Sequence, residues 1–239
     1  MPIVRPLAAA ALACLAPAPL LAQDNPQHAL AEVLTADAYV ERTFHQAMEV
    51  GFEGALAADA SMAEIEGACP GVIAAMRAAV EPAMWPAHQR GYAAYRTDLA
   101  ALFERELSDD HARGAADFFA SPLGQRYLVA LAGAAVADTM IADLADSGAG
   151  HISAGALAAD DADSVARAIA ALEPADRAQI SATLEGSEWA AEFRRLEPQV
   201  AELQLAMANA DFSEEEERAM DAAIDGVLET RFADCFPEE

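Results

Sequence analysis

Alanine, the residue with the highest intrinsic helix propensity, recurs throughout this chain, and no segment alternates apolar and polar residues as a β-strand would. Apolar side chains recur instead at steps of three and four residues, which is the spacing of one face of a helix. With 239 residues, the chain is long enough to bury a core. We therefore predict an all-α fold, a helical bundle of about six to eight helices.

Capping residues and helix breakers set the predicted helix boundaries. A helix over about 71–107 contains Pro82 and Pro86, which we expect to bend or break it because each removes a backbone donor and clashes with the preceding turn. Ser213 and Glu216 have the spacing of a capping box. The other helices are predicted at about 37–56, 109–119, 122–146, 160–172, 174–186, 187–209 with a kink at Pro198, and 213–235, with a short helical segment before Cys69.

Two of the long predicted helices carry matching apolar stripes. The first stripe recurs 66 residues later in the second: Leu123, Tyr127, Ala130, Ala134, Ala137 and Ile141 correspond to Trp189, Phe193, Leu196, Val200, Leu203 and Met207. The shorter helices before them match at an offset of 65 residues, and Ser121 and Ser187 are the predicted caps of the two long helices. We interpret this as a degenerate repeat of helical hairpins. The alternative is coincidence between two amphipathic helices, which any bundle contains.

The first 22 residues have the pattern of a secretory signal peptide. One positive charge, Arg5, precedes an apolar run, and small residues lead to Ala22 before Gln23. A transmembrane anchor is the alternative, but two prolines interrupt the run before it reaches the about 20 apolar residues that a spanning helix needs. A lipoprotein anchored through Cys14 is a minor alternative, since the apolar region ahead of that cysteine is short.

The chain is strongly acidic. It contains 40 acidic residues against 14 basic ones, all of them arginine, and its formal net charge of −26 becomes −27 once Arg5 is removed with the signal peptide. A field of this sign repels nucleic acid and anionic lipid headgroups. We therefore expect no nucleic-acid partner, and we expect no integral membrane segment after the signal peptide.

Two cysteines, Cys69 and Cys235, remain after signal cleavage. In an exported chain such a pair predicts one disulfide. In the chain-entropy model, a disulfide closing a loop of more than a hundred residues contributes about 5 kcal/mol to stability. The alternative is two unpaired buried thiols. A cysteine pair with no nearby histidine does not form a zinc site.

The sequence contains no pattern typical of a catalytic nucleophile, a phosphate-binding loop or a metal site, so we predict no catalytic, cofactor-binding or metal-ligating residue. The run Asp160, Asp161 and Asp163 fails the EF-hand pattern, which needs a glycine and a glutamate at fixed later positions. We interpret these acids as the start of a helix, where the dipole favours negative charge.

One helix face is a candidate ligand site. His88 shares it with Tyr92 and Tyr95, close to Trp85 and Arg96. A small aromatic pocket is one interpretation. The other is an amphipathic packing face whose polar tips reach water, which is the commoner arrangement of such side chains.

The stretch FFASPLGQRY at 118–127 differs from its alanine-rich surroundings. Ser121 is expected to cap a helix in which Pro122 takes the first position, so that the stretch is the corner of a helical hairpin. The segment LSDDHARGAADFFASPLGQRYLVAL resembles the bacterial exported family catalogued as domain of unknown function 2059. The positions that carry the resemblance are Phe118, Phe119, Ser121, Pro122, Gly124 and Gln125.

This resemblance extends over about residues 70–145 and implies a secreted or periplasmic helical protein, with no established activity. We expect one all-helical domain over residues 23–239, with a family-like half at 23–146, a linker at 147–153 and a diverged helical half at 154–239. The predicted function is that of a non-enzymatic module that binds a periplasmic or envelope protein. A small-ligand or cation-binding protein is the alternative, and a hydrolase ranks last because no convergent polar cluster is visible.

Overall fold

The computed structural model describes residues 25–58, 60–147 and 151–235, without the helical side chains at 55–58, 145–147 and 232–234. Within these residues every regular element is a helix, which confirms the all-α prediction. The predicted signal peptide at 1–22, including Cys14, lies outside the described residues, as does 148–150 of the predicted linker. The helices are α1 Pro26–Leu34, α2 Asp37–Ala58, α3 Ala60–Ala68, α4 Val72–Glu106, α5 Asp109–Ala120, α6 Pro122–Gly133, α7 Asp138–Ser147, α8 Ala154–Ala171, α9 Pro174–Gly186, α10 Glu188–Arg195, α11 Glu197–Ala208 and α12 Glu214–Cys235.

The described part of the chain contains more helical segments than the predicted six to eight, because the predicted long helices divide. The helix expected at 122–146 ends at Gly133 and resumes at Asp138 as α7. The helix expected at 187–209 is interrupted at Leu196, where the ring of Pro198 occupies the first turn of α11. A proline is favoured in a first turn because the amide hydrogen it lacks has no partner there.

The helix α1 was not predicted, although it lies at the centre of the main core. Asn25 caps it by accepting hydrogen bonds from Gln27 N and His28 N, each at 3.1 Å, and Pro26 is its first residue. Leu30 and Ala31 are fully buried in the cluster formed mainly by α4 and α5. The Asn-Pro step was the available signal, since both residues are typical of a helix start.

The helix α4 continues through Pro82 and Pro86 without ending, so of the predicted bend or break the break is absent. Helices α2, α11 and α12 pack along α4, and Val80 and Ala87 are buried beside the prolines. Burial of apolar side chains around the prolines offsets the hydrogen bonds that they remove. Glu66 marks the start of α4, because its carboxylate accepts from Gly71 N at 2.6 Å and from Ile73 N at 3.1 Å.

After the gap between α6 and α7, the start of α7 is capped by a carboxylate from another helix. Asp160, which is 2% exposed in the middle of α8, accepts hydrogen bonds from Thr139 N at 3.1 Å and from Met140 N at 2.8 Å. These amides belong to the first turn of α7, where an acceptor is needed. Ser164, one turn later on α8, accepts from Val136 N at 3.1 Å. The start of α7 is therefore capped from a distance in sequence.

The interpretation of Asp160, Asp161 and Asp163 as a helix start is wrong. Helix α8 begins earlier, at Ala154, because the hydroxyl of Ser153 accepts from Ala156 N at 3.2 Å and caps it. The aspartates therefore lie inside α8. Asp160 still serves a helix N-terminus, but that of α7.

The two predicted halves pack against each other. Helix α8 packs on α6 and α7, α10 packs on α5, and α12 runs along α4. Cys69 and Cys235 form a disulfide, with their Cα atoms 5.5 Å apart, which ties the C-terminal end of α12 to the turn before α4. Arg90 on α4 is paired with Glu216 near the other end of α12.

One stretch of the described chain, Pro122–Leu144, is long and apolar enough by length and composition to cross a membrane, with a mean hydropathy of 1.5. This differs from the expectation that no segment after the signal peptide reaches that composition. Its alanines account for part of the difference, because they raise the mean hydropathy without adding large side chains. The stretch is divided between α6 and α7, and both helices pack on α8.

Candidate functional site

The four side chains of the predicted ligand face form one row along α4. Trp85 and His88 are stacked with ring centroids 5.8 Å apart. The rings of His88 and Tyr92 are 4.8 Å apart, and those of Tyr92 and Tyr95 meet edge to face at 6.1 Å. These spacings lie within the range over which aromatic pairs attract each other. The structure thus brings all four predicted residues together.

Helix α2 covers the middle of this row. Phe44 lies 4.8 Å from the ring of His88 and 5.1 Å from that of Trp85. Nε2 of His88 is 3.4 Å from the carbonyl oxygen of Val40, and the hydroxyl of Tyr92 is 3.4 Å from that of Thr43. Burial lowers the pKa of His88, and the contact with the Val40 carbonyl opposes this only in part. His88 is therefore a neutral packing residue in the geometry seen here.

An open cleft of ≈ 250 Å³ lies beside the row, between the start of α2 and the middle of α4. Trp85 and Tyr92 form its aromatic part, and Arg96 lies at its charged end with Asp37. Val40, Gln89 and Ala93 complete the lining. Sequence reasoning missed Asp37 and Gln89. Gln89 lies one turn from Trp85 on the same helix, so helical spacing could have found it, whereas Asp37 depends on how α2 packs.

Arg96 is held in place by the end of α1. Its Nε donates to the hydroxyl of Thr35 at 2.7 Å, and Nη2 donates to the Thr35 carbonyl and, at 3.3 Å, to Asp37. Thr35 is the C-cap of α1, and its free carbonyl needs a donor. The guanidinium also borders a second cleft of ≈ 320 Å³ whose lining includes His28 and Glu104, which are 3.1 Å apart.

The sequence motif at 118–127 forms the corner between α5 and α6. The hydroxyl of Ser121 donates to the Phe118 carbonyl at 2.6 Å and accepts from Gly124 N at 3.1 Å. The side-chain amide of Gln125 donates to the Phe119 carbonyl at 2.7 Å, and Pro122 is the first residue of α6. Phe118 and Phe119 pack into the core, where their rings meet that of Trp189.

Residues 93–146 match the family described as uncharacterized protein conserved in bacteria (DUF2059). The match runs from the middle of α4 to the end of α7 and so contains the α5–α6 corner. It begins 23 residues later than the predicted resemblance, which started at about residue 70. No curated protein and no solved structure matches the chain.

The DUF2059 segment contains Tyr95 and Arg96 of the aromatic row and its cleft, but it begins after Trp85, His88 and Tyr92. The cleft is therefore built partly from residues outside the segment. The family description names no activity, so the match assigns no chemistry to the cleft.

Sequence reasoning missed a cluster of the four tyrosines of the chain: Tyr39 lies near Tyr92, Tyr95 and Tyr127, and Asp161 lies near the first three of these four side chains, Tyr39, Tyr92 and Tyr95. Tyr39 lies on α2, Tyr92 and Tyr95 lie on α4, Tyr127 lies on α6, and Asp161 lies on α8. Of these residues, Tyr95 and Tyr127 belong to the DUF2059 segment. Burial raises the pKa of each tyrosine hydroxyl in the cluster. Burial, followed by the neighbouring Asp160, also raises the pKa of Asp161. No local pattern links these positions, because four helices supply them.

Within the described residues, no group of three or more histidine, cysteine, aspartate or glutamate side chains is arranged to hold a metal ion. The acids that stand out by burial or bonding contact backbone amides instead: Asp160 caps α7, and Glu66 binds the start of α4. The candidate site of this part of the chain is therefore the aromatic cleft and its polar rim.

Proposed function

We propose that this protein is an exported helical module that binds a partner in the cell envelope. The observation that carries the proposal is the disulfide between Cys69 and Cys235. It closes a loop with a sequence separation of 166 residues and fastens α12 to the start of α4. Such bonds persist in oxidising compartments and are rare in the cytosol, which supports export.

Two polar side chains at the candidate site, His88 and Arg96, support binding over catalysis, because both make structural contacts. His88 contacts the Val40 carbonyl, and the guanidinium of Arg96 bonds Thr35 at the end of α1. A catalytic acid or base needs its reacting atom free to reach a substrate proton. Side chains engaged in this way position helices and shape a surface.

Charge indicates the chemistry of the partner. The chain carries 40 acidic against 14 basic residues, so its field attracts positively charged surfaces and repels polyanions. We therefore propose a basic protein, or a basic segment of an envelope protein, as the partner. Electrostatic complementarity of this kind mainly raises the association rate and makes binding sensitive to salt.

Export and the disulfide can be tested together by fractionating cells that produce the full chain and alkylating free thiols with a maleimide polymer. We expect the protein in the periplasmic fraction, with Cys69 and Cys235 labelled only after reduction. A Cys69→Ser, Cys235→Ser variant is the matched control, and we expect it to lose about 5 kcal/mol of unfolding free energy in the chain-entropy model. Cytoplasmic protein in which Cys69 and Cys235 are labelled without reduction would contradict the export proposal.

Partner binding is tested by crosslinking in the native host, followed by direct titration of each purified candidate with the purified protein. We expect a basic partner whose dissociation constant rises at least about tenfold between 50 and 200 mM salt, because screening weakens charge attraction. Binding that is independent of salt would contradict the charge argument, and candidates that fail to bind once purified would contradict the module proposal.

Small-ligand binding is a second candidate function, and the aromatic cleft is the observation that favours it. Trp85 and Tyr92 offer ring surfaces there, next to the fixed guanidinium of Arg96. Ligand sites combine apolar walls with a few placed polar groups in this way. A thermal-shift screen with metabolites and divalent cations tests it: a saturable rise in Tm supports the candidate, and the absence of any shift counts against it.

A further inference from the structure

We propose that the cleft between α2 and α4 binds a small zwitterion with an aromatic ring, of the class of the aromatic amino acids. The ring would lie against Trp85 and Tyr92, the carboxylate would bond Arg96, and the ammonium group would bond Asp37. This inference rests on the second candidate function and names the ligand class for that site.

The aromatic end of the cleft is held in place before any ligand binds. Trp85 packs on Phe44 at 5.1 Å and stacks on His88 at 5.8 Å, so few other ring orientations remain open to it. Tyr92 is seven residues further along α4, about 10 Å by helical rise, and its hydroxyl contacts Thr43. A preorganised aromatic wall binds a flat ring with little loss of side-chain entropy.

The charged end presents one group of each sign. Two nitrogens of Arg96 are engaged by Thr35 and Asp37, and Nη1 takes part in none of the hydrogen bonds found among the described residues. Nη1 is therefore the donor available for a carboxylate. The carboxylate of Asp37 is fully exposed at 101% relative side-chain area, so that an ammonium group can approach it.

The acidity of the whole chain distinguishes a zwitterion from a simple anion. A formal net charge of −26 opposes the approach of a carboxylate that carries no compensating positive charge. A zwitterion is neutral overall, and its two charges match Arg96 and Asp37 one to one. The cleft volume of ≈ 250 Å³ is below the about 300–1,000 Å³ of pockets for drug-sized ligands, which favours one small molecule.

Trp85 provides the readout. The chain contains two tryptophans, so in a Trp189→Phe background the emission excited at 295 nm reports Trp85 alone. The full mature chain is titrated with L-phenylalanine and with three probes that each lack one group: 3-phenylpropionate lacks the ammonium, phenethylamine lacks the carboxylate and L-alanine lacks the ring. We expect saturable quenching by L-phenylalanine and at least tenfold weaker binding of each of the other three.

Asp37→Asn tests the ammonium contact. We expect this variant to bind L-phenylalanine at least tenfold more weakly and to lose most of the preference for L-phenylalanine over 3-phenylpropionate. Asp138→Asn is the matched control, because Asp138 is also an exposed first-turn aspartate but begins α7, outside the cleft lining. The control should bind as the parent does, and circular dichroism should show equal helicity in both variants.

Three results would overturn the inference, and they differ in what they say about the cleft. If another small molecule from the thermal-shift screen quenches Trp85 but L-phenylalanine does not, the ligand class is wrong and the cleft remains a binding site. If L-phenylalanine up to about 10 mM and every screened compound leave the Trp85 emission unchanged, the cleft itself is not a binding site. At about 10 mM, a ligand with a Kd of about 1 mM would occupy nearly all of the sites. Equal binding of L-phenylalanine and 3-phenylpropionate also overturns the zwitterion assignment.

Discussion

Two corners of this molecule share a sequence pattern and differ in construction. In each, a short helix is followed by a serine and another helix: α5, Ser121 and α6, and then α9, Ser187 and α10. Ser121 bonds both helices that it joins, since it donates to the Phe118 carbonyl and accepts from Gly124 N. Ser187 occupies the N-cap position of α10, but its hydroxyl makes no capping bond.

The glycines of the two corners differ in the same way. An ideal Cβ at Gly124 would collide with the carbonyl oxygen of Phe118 and lie 2.7 Å from the Cα of Phe119, so the two helices touch through their backbones. An ideal Cβ at Gly186 meets nothing within 4 Å. The first corner therefore requires a glycine at 124, whereas the second has room for a larger residue at 186. A matching apolar stripe reports that two helices are amphipathic, but it does not report how tightly their joints are built.

The second corner nevertheless depends on the first, because α10 packs on α5. The ring of Trp189, two residues after Ser187, lies 5.4 Å from that of Phe118. It also packs against Gly114, where an added Cβ would lie 2.8 Å from Cδ1 of Trp189. Arg194 closes α9 by donating to the Leu184 carbonyl at 3.2 Å. Packing against α5 and this side-chain bond replace the serine cap at the second corner. The degenerate repeat remains a sequence prediction, since the corners differ in geometry.

The largest effect is expected for Gly124→Ala. The added methyl group must separate α5 from α6 at a backbone contact, and overpacking of this kind typically costs 1–3 kcal/mol, of which the higher helix propensity of alanine recovers about 1. Since the colliding atoms are backbone and cannot rotate away, we take the upper end of that range and expect a net loss of about 2 kcal/mol in unfolding free energy. Urea unfolding measures it, and a loss below about 0.5 kcal/mol would show that the corner relaxes freely.

Ser121→Ala comes next. It removes the cap of α6 and the hydroxyl bond to the Phe118 carbonyl, and the loss of such a cap costs about 1 kcal/mol. The measurement is again urea unfolding, with Ser121→Thr as the control because threonine keeps a hydroxyl that can accept from Gly124 N. An alanine variant as stable as the parent would mean that the two corners do not differ in their caps.

Local signals predicted the parts of the fold that are local. Ser108, Ser121 and the Ser213–Glu216 capping box mark helix starts in the structure, because the side chain and the amide that it caps are neighbours in sequence. The effect of a proline inside a helix is less local. Pro82 and Pro86 lie inside a continuous α4, since packing on both sides of that helix overrides a local preference.

Features that depend on tertiary contacts were not predictable from one sequence. Asp160 caps α7 across 21 residues, so the sequence around α7 gives no reason for its start. The cluster of four tyrosines and the position of Asp37 in the cleft likewise depend on which helices become neighbours. The aromatic row was visible because all of its members lie on α4 at helical spacing.

Gly186→Ala should have the opposite sign to Gly124→Ala. Gly186 is the last residue of α9, its φ is negative, and open space surrounds the position of a Cβ. Alanine fits there without strain and reduces the entropy of the unfolded chain, which stabilises proteins by about 0.4–1 kcal/mol. We expect a gain of about 0.5 kcal/mol in unfolding free energy. A loss above about 1 kcal/mol would reveal a close contact at the second corner.

Ser187→Ala is the smallest expected change and the sharpest test of the comparison. Because the hydroxyl of Ser187 caps nothing, its removal should alter the unfolding free energy by less than about 0.5 kcal/mol, as for most surface substitutions. Trp189 and Arg194 hold this corner instead of the serine. Arg194→Gln in the parent protein should therefore lower the unfolding free energy more than Ser187→Ala does. If Ser187→Ala instead costs as much as Ser121→Ala, the serine does cap α10 in solution, and the two corners are closer in construction than their hydrogen bonds indicate.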